Sequence, residues 1–512
     1  MEPGADDRPY RRRVLRGTVA TILANSWAMV LGLVTLPLLL SGLGTQAFGV
    51  WVLLQTFSVT SGWLSLGDFG LSTSTVRFVA AEESAGRHDH ARRVAGTALV
   101  AFAALGLFWG ALVGLLGPRV LPTLFRVPAG LSAEFEQAVY WFALQTIADF
   151  AIQGVLAVLE GAQEIDRSRS LEMLRRTLVT GGSAVAAVAG LGLAGVSMVG
   201  FVGTTVALVG SLHVLHRRSR LTVARPQLEA LRLLVRHGSS VALLRPLGVL
   251  HRTMDRVVVG VVLGPSAVAL VEIATQLQNG ASAVLGASSY AVTPSAAWLD
   301  GRGDGHRLRE LVEKGTRYTL LVTYPVVVLT AVLAGPAVAL WVGPDYAAAV
   351  PLVVLAVGYV AAVAPIQVGS NLLVGIGRAR SVIWAATASL GFNLALSLAL
   401  VGPLGVRGPF VATLISAVVQ LPLLGRSILD TVDLAPRDFL RSSVLPPAAA
   451  SVVLGAAALV PVLLPLGPLA TLILGGCLGI AAYTWAAPAV AMGDGELRDL
   501  VRGLRRPARA LT

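Results

Sequence analysis

Uninterrupted apolar runs recur along the whole chain, and they constrain its fold more than any motif does. Residues 99–116, 196–215 and 444–464 approach or exceed the roughly 20 residues that a helix needs to cross about 30 Å of hydrocarbon. Membrane strands are shorter and alternate apolar with polar residues, so runs this long and continuous read as helix. Composition agrees, since the 512 residues are 55% hydrophobic and 13% charged, with a mean hydropathy of +0.74. A core of that composition is solvated by lipid rather than water. The predicted fold class is all-α, a polytopic transmembrane helical bundle without a soluble domain of its own.

Hydropathy, together with breaks at charges and Gly/Pro clusters, predicts about fourteen spans. The first seven cover residues 15–40, 47–79, 94–116, 135–159, 171–191, 196–215 and 239–263. The other seven cover 266–296, 315–333, 348–374, 381–401, 409–429, 444–464 and 469–492. The basic stretch at 11–13 precedes an apolar segment running to Leu40 with no small-residue cleavage site, so it reads as a retained first helix.

The net charge of +12 and a pI near 10.8 raise the question of nucleic acid. Placement of the charges argues against it. The basic residues form short clusters between apolar spans, without the interleaved aromatics of a base-stacking surface. With the N-terminus taken as cytoplasmic, Arg119, Arg126 and Arg407 fall outside, and Arg245, Arg252 and Arg256 fall within the seventh span. All other Lys and Arg fall on the inner side, as the positive-inside rule requires. Both termini are therefore expected in the cytoplasm. Cys477 is the only cysteine, which excludes an intramolecular disulfide and a CxxC metal motif.

The expected outer connections are short, the longest being 117–134, so no extracytoplasmic catalytic domain fits. The largest inner connection, 216–238, carries six arginines with Leu228, Leu231, Leu233, Leu234 and Val235. It reads either as an amphipathic helix on the anionic leaflet or as a solvated linker whose charges set topology. The halves on either side of it echo each other. Leu43-Gly44-Thr45-Gln46-Ala47 matches Leu263-Gly264-Pro265-Ser266-Ala267, and His90 with Arg92 matches His306 with Arg307. Offsets of about 220 and about 216 residues suit a duplicated six-helix unit. The expected organisation is an N-lobe at 1–215, a cytoplasmic linker at 216–238, a C-lobe at 239–430, and a helix pair with a tail at 431–512.

The run LPLLLSGLGTQAFGVW at 36–51, followed by LGDFGLSTSTVRFVA at 66–80, resembles the opening two helices of Wzx-type polysaccharide flippases. Asp255-Arg256-Val257-Val258-Val259-Gly260, closed by Leu263-Gly264, is similar to the start of that family's second lobe. The family belongs to the multidrug/oligosaccharidyl-lipid/polysaccharide exporter superfamily. One departure is Val268-Ala269-Leu270, where the family pattern has a small residue followed by an aromatic. The resemblance implies flipping of an undecaprenyl-diphosphate-linked oligosaccharide from the cytoplasmic to the outer leaflet by alternating access, for cell-surface polysaccharide biosynthesis. It also implies a bacterial inner-membrane monomer, neither an enzyme nor a cofactor protein. Its partners would be a polyprenyl-diphosphate-linked glycan, membrane lipids, and Na+ or H+ as coupling ion.

Charged residues inside a span cost at least about 2.5 kcal/mol each on insertion scales, so they face protein or a water-filled cavity. Arg245, Arg252 and Arg256 lie seven and four residues apart, within about 40° of one another around the seventh helix and over about 16 Å of its length. A guanidinium fork grips phosphate bidentately and stays protonated, so the stripe suits a diphosphate. The alternative is that Arg252 pairs with Asp255 while Arg245 snorkels to the inner surface. His251 adjoins the stripe on another face.

The fourth helix carries Gln145, Asp149 and Gln153 at four-residue spacing, and the eighth carries Glu272, Gln276 and Asn279. The second adds Gln55, Ser58, Ser65 and Asp68, the last inside a Gly-Asp-Phe-Gly sequence that favours a bend. Asp149, Asp255 and Glu272 either couple protons or pair with arginines. Asn25, on a face with Thr18 and Thr21, completes the candidate substrate set with Gln55 and Asp68. Pro37, Pro246 and Pro365 are candidate hinges.

Competing readings are a lipid II flippase, an ion-coupled small-molecule antiporter, and a polyprenyl-sugar glycosyltransferase or polymerase. The arginine stripe favours an anionic ligand over the cations of an exporter. Short outer loops with few acids, chiefly Glu134, Glu136 and Asp345, disfavour a glycosyltransferase.

Overall fold

A computed structural model describes residues 8–218, 224–242 and 245–491. Every regular element among them is helical. The chain divides into two compact units, Met1–Ala269 and Leu270–Thr512. Among the described residues ten helices are long and apolar enough to cross a membrane, which makes the chain an integral membrane protein. The other expected spans correspond to helices that are broken, kinked or polar.

The first unit opens with α1 (Arg8–Gln55), in which Gly44 at φ 75° and ψ 165° separates the first two spans. A left-handed residue with extended ψ turns the chain, and glycine carries no Cβ to oppose it. Pro37, expected as a hinge, sits within helical backbone. The second span is not continuous as expected. It unwinds after Gln55, makes a short 3₁₀ helix at Trp63–Asp68, and resumes as α2 (Leu71–Ser84).

Next come α3 (His88–Leu124) and α4 (Ser132–Gly161). The fifth span is α5 (Ile165–Arg176), a π turn at Thr177–Gly181, and α6 (Gly182–Val188). α7 (Gly192–Arg218) follows, then α8 (Leu228–Ala242) and α9 (Arg245–Leu263), so the seventh span begins later than the expected residue 239. Val79, Phe102, Phe150, Leu159 and Leu215 form the main core of this unit.

α8 belongs to that core. Leu234 is fully buried in the same cluster, and Gln227 N–H donates to the Thr97 hydroxyl at 3.0 Å. Leu228, Leu233 and Val235 remain exposed. The amphipathic segment is thus a helix packed on α2 and α3, with only part of its apolar surface left for lipid. In the loop after α2, the Arg87 guanidinium donates to Glu82 at 2.7 Å and holds that carboxyl below its usual range.

α10 (Pro265–Ser289) leads into the second unit, followed by α11 (Val292–Asp300), α12 (Gly305–Val332) and α13 (Ala334–Trp341). The expected eighth span, 266–296, is therefore interrupted after Ser289. α14 (Val350–Gly375), α15 (Ala379–Leu404), α16 (Arg407–Thr431) and the short α17 (Pro436–Phe439) follow, then α18 (Leu445–Val462) and α19 (Pro468–Ala491).

α12, α14 and α16 pack together around Val312, Val368, Leu372 and Ile428. Between α15 and α16, Asn393 donates to the Thr413 hydroxyl at 2.7 Å, the kind of polar contact that joins helices in lipid. α18 and α19 pack closely on each other and against α12, where the Tyr483 hydroxyl donates to the Leu321 carbonyl at 2.6 Å.

Candidate functional site

The polar groups of the first unit gather in two places. One is the unwound part of the second span together with α9. There the Trp63 indole N–H donates to the Thr253 hydroxyl at 2.7 Å, and that hydroxyl donates to the Val249 carbonyl at 2.8 Å. A hydroxyl serves both ways, so one threonine joins α9 to the 3₁₀ turn. Two turns along, Gly260 lets α9 approach the Leu53 side chain. α9 ends at Arg126, whose guanidinium donates to the Val262 carbonyl at 3.0 Å. A cation at carbonyls left open by the last helical turn is favourable. One of the few arginines expected outside is therefore a helix cap.

Arg252 is exposed and Arg256 half-buried, four residues apart on α9. Arg245 begins that helix, but its side chain, like those of Pro246 and Thr18, lies outside the described residues. His251 and Asp255 are half-buried.

Asp68 is almost fully buried, and it hydrogen-bonds within its own turn. Its carboxylate accepts the Gly70 N–H at 2.9 Å, the Ser72 N–H at 3.3 Å and the Ser72 hydroxyl. It therefore closes the left-handed turn at Phe69–Gly70 and caps the start of α2. Ser58 likewise accepts the Gly62 N–H at 3.1 Å within the unwound segment. Gln55, just before the break, is half-buried.

The second place is a buried charge cluster on α4 and α5. Arg175, 5% exposed, donates through Nη1 to Asp149 at 3.1 Å and through Nε and Nη2 to the two oxygens of Glu172 at 2.9 and 3.0 Å. Arg176 donates to the same Glu172 at 2.7 Å, and Gln145 donates to Asp149 at 3.4 Å. Two carboxylates and two guanidiniums leave the group neutral. That balance allows the charges to remain in low dielectric, because each is hydrogen-bonded to an opposite one. Asp149 lies twelve residues, or about 18 Å, from the end of α4, well inside the span.

The sequence picked out Asp149 and Gln145 but not their partners. Arg175 and Arg176 count among the inner-side cations although they open the expected fifth span, 171–191, and Glu172 is not singled out. The signal was present, since Glu172 stands three and four residues before the two arginines. Glu134, expected as a loop acid, accepts the Leu193 and Ala194 N–H groups at the start of α7.

Other candidates are placed apart. Asn25 is exposed on α1, where the neighbouring Thr21 hydroxyl donates to its own helix at Gly17. Gln153 is half-buried. On α10, Glu272 and Gln276 are half-buried and Asn279 is exposed. Among the described residues no group of His, Cys, Asp and Glu is arranged to hold a metal.

Residues 131–351 match a family described as polysaccharide biosynthesis protein. No curated protein matches the chain. Among solved structures, it is similar to the lipid II flippase MurJ in an inward-closed conformation, with a TM-score of 0.68 at 13% identity, covering 95% of this chain and 99% of that one. An inward-facing MATE-family multidrug resistance transporter of the MOP superfamily gives a TM-score of 0.61 at 17% identity, over 82% of this chain and 99% of that one. An outward-facing MATE structure gives 0.54 at 17% identity, over 83% and 97%. At such identities the likeness is one of fold. What the chain shares with these proteins is thus a family match over 131–351 and the fold of a polytopic helical membrane protein.

Proposed function

We propose that the chain flips an undecaprenyl-diphosphate-linked oligosaccharide from the cytoplasmic to the outer leaflet by alternating access, breaking no bond in its cargo. The observation that carries this reading is the cationic face of α9, Arg252 and Arg256 with Arg245 at its start, inside the stretch matched by the polysaccharide biosynthesis family. A diphosphate moving along the membrane normal needs fixed positive groups at successive depths. Arginine provides them in a form that does not deprotonate. In the same reading both termini are cytoplasmic in a bacterial inner membrane, and Asp149 acts as a structural partner of Arg175.

Alanine substitution of each arginine, assayed by translocation of a labelled lipid-linked oligosaccharide in vesicles, tests this. A hydrogen bond to a charged group contributes roughly 1.5–3 kcal/mol, which corresponds to about a tenfold to hundredfold loss of flux. Arg→Lys restores part of it, because charge remains while the bidentate fork is lost. Near wild-type transport by all three alanine variants at equal folded amounts removes α9 from the substrate path.

A further inference from the structure

Two interior prolines of the second unit each leave a carbonyl without its helical donor, and in each case a tyrosine from another helix supplies one. Pro325 in α12 has no N–H to give to the Leu321 carbonyl four residues earlier. The Tyr483 hydroxyl of α19 donates to that carbonyl at 2.6 Å. Pro365 in α14, a hinge candidate from the sequence, likewise leaves the Ala361 carbonyl. The Tyr324 hydroxyl of α12 donates to it at 3.5 Å, the outer limit of a hydrogen bond. Both carbonyls lie in helices apolar enough to span the bilayer, where no bulk water replaces a missing donor.

α19 also runs along α12 across the gap. Gly475 and Gly479 admit Leu333 and Leu329, which follow Pro325, since a Cβ added at those glycines would lie 2.7 and 3.1 Å from the two side chains. Tyr483, four residues beyond Gly479, bonds to Leu321, which precedes Pro325. α19 is thus antiparallel to α12 and holds it on both sides of the missing rung, as a splint does. A helix bends most readily at an interior proline, so tying the freed carbonyl to a neighbour makes the bend follow that neighbour. Tyr324 immediately precedes Pro325, and the bend there places the hydroxyl that serves Pro365. We propose that Tyr483 and Tyr324 are positioning residues acting in series: α19 sets the bend of α12 at Pro325, and α12 passes that setting to α14 at Pro365.

Amide hydrogen exchange, read by mass spectrometry on the full chain in lipid nanodiscs, tests the order of the relay. Tyr483→Phe keeps the ring and removes the donor. It is expected to speed exchange about two- to tenfold in the turns around Pro325 and also around Pro365, the range of one lost hydrogen bond. Tyr324→Phe speeds it around Pro365 alone, and α3 and α4 of the first unit stay unchanged in both variants. In a Pro325→Ala background the helix regains its rung, Leu321 needs no outside donor, and Tyr483→Phe becomes silent. Pro365→Ala silences Tyr324→Phe in the same way.

Equal acceleration in the parental and alanine backgrounds overturns the proposal, because the tyrosines then act by packing alone. Acceleration around Pro365 from Tyr324→Phe but not from Tyr483→Phe breaks the series. Unchanged exchange at both prolines in variants that elute as folded protein takes the hydroxyls out of any control of the bends. No transported molecule enters these measurements, so the proposal stands or falls apart from the flipping reading.

Discussion

At the scale of residues, Asp149 shows how spacing exposes a polar face without naming its partner. The four-residue spacing of Gln145 and Asp149 survives as a hydrogen bond. The arginine that neutralises the carboxylate comes from α5, 26 positions further on. Removing one member of a buried ion group leaves the rest uncompensated, which typically destabilises by about 3–5 kcal/mol. Asp149→Asn and Arg175→Met are therefore expected to lower the thermal midpoint in detergent, and the double variant to lose less than the sum of the two. Arg175→Lys also loses stability, since an ammonium cannot reach both oxygens of Glu172 and Asp149 together. Unchanged midpoints with an altered pH dependence of transport would instead make Asp149 a coupling acid. Asp68 was legible as a bend, and in the structure its carboxylate closes the turn at Phe69–Gly70 by accepting the Gly70 N–H.

The instructive element is the second span. A Gly-Asp-Phe-Gly sequence announced a bend, and the structure makes a long unwound stretch there, supported by neighbours remote in sequence. Gly70 has φ +79°, and a Cβ added there would lie 2.3 Å from the Gly238 carbonyl of α8. Gly86 has a similar φ of +72° with nothing near its would-be Cβ. The pair separates backbone strain from crowding. Gly86→Ala should cost only the roughly 1–2 kcal/mol of a left-handed alanine. Gly70→Ala adds a backbone clash and should push α8 away from α2. Limited proteolysis at residues 224–227, faster in Gly70→Ala than in Gly86→Ala, is the expected outcome, and equal rates would mean that α8 is held elsewhere.

For the whole molecule, the positive-inside pattern makes a claim that labelling can check. In a Cys477→Ala background, a cysteine at Gly130 should react with an impermeant thiol reagent added outside intact cells, and one at Arg87 only after permeabilisation. Reversed labelling would invert the map and place both termini outside. Ten of the expected spans meet the criteria of length and apolarity. Those that do not include α9 with its arginines and α10 with Glu272, Gln276 and Asn279. Each departs from the hydropathy of a lipid-facing helix because part of its surface carries polar groups.

What the sequence by itself determined is that the chain is a polytopic helical membrane protein and which segments carry charge, because hydropathy and helical spacing are properties of one segment read alone. Tertiary structure decided which groups those charges meet. It gave Arg175 to Asp149, Thr253 to Trp63, and the Val262 carbonyl to Arg126. It also drew Leu234 of the amphipathic segment into a core beside Val79 and Leu215. The physical reason is range. Desolvation acts on every apolar residue wherever its helix goes, whereas an ion pair or a packed side chain exists only when two helices distant in sequence lie side by side.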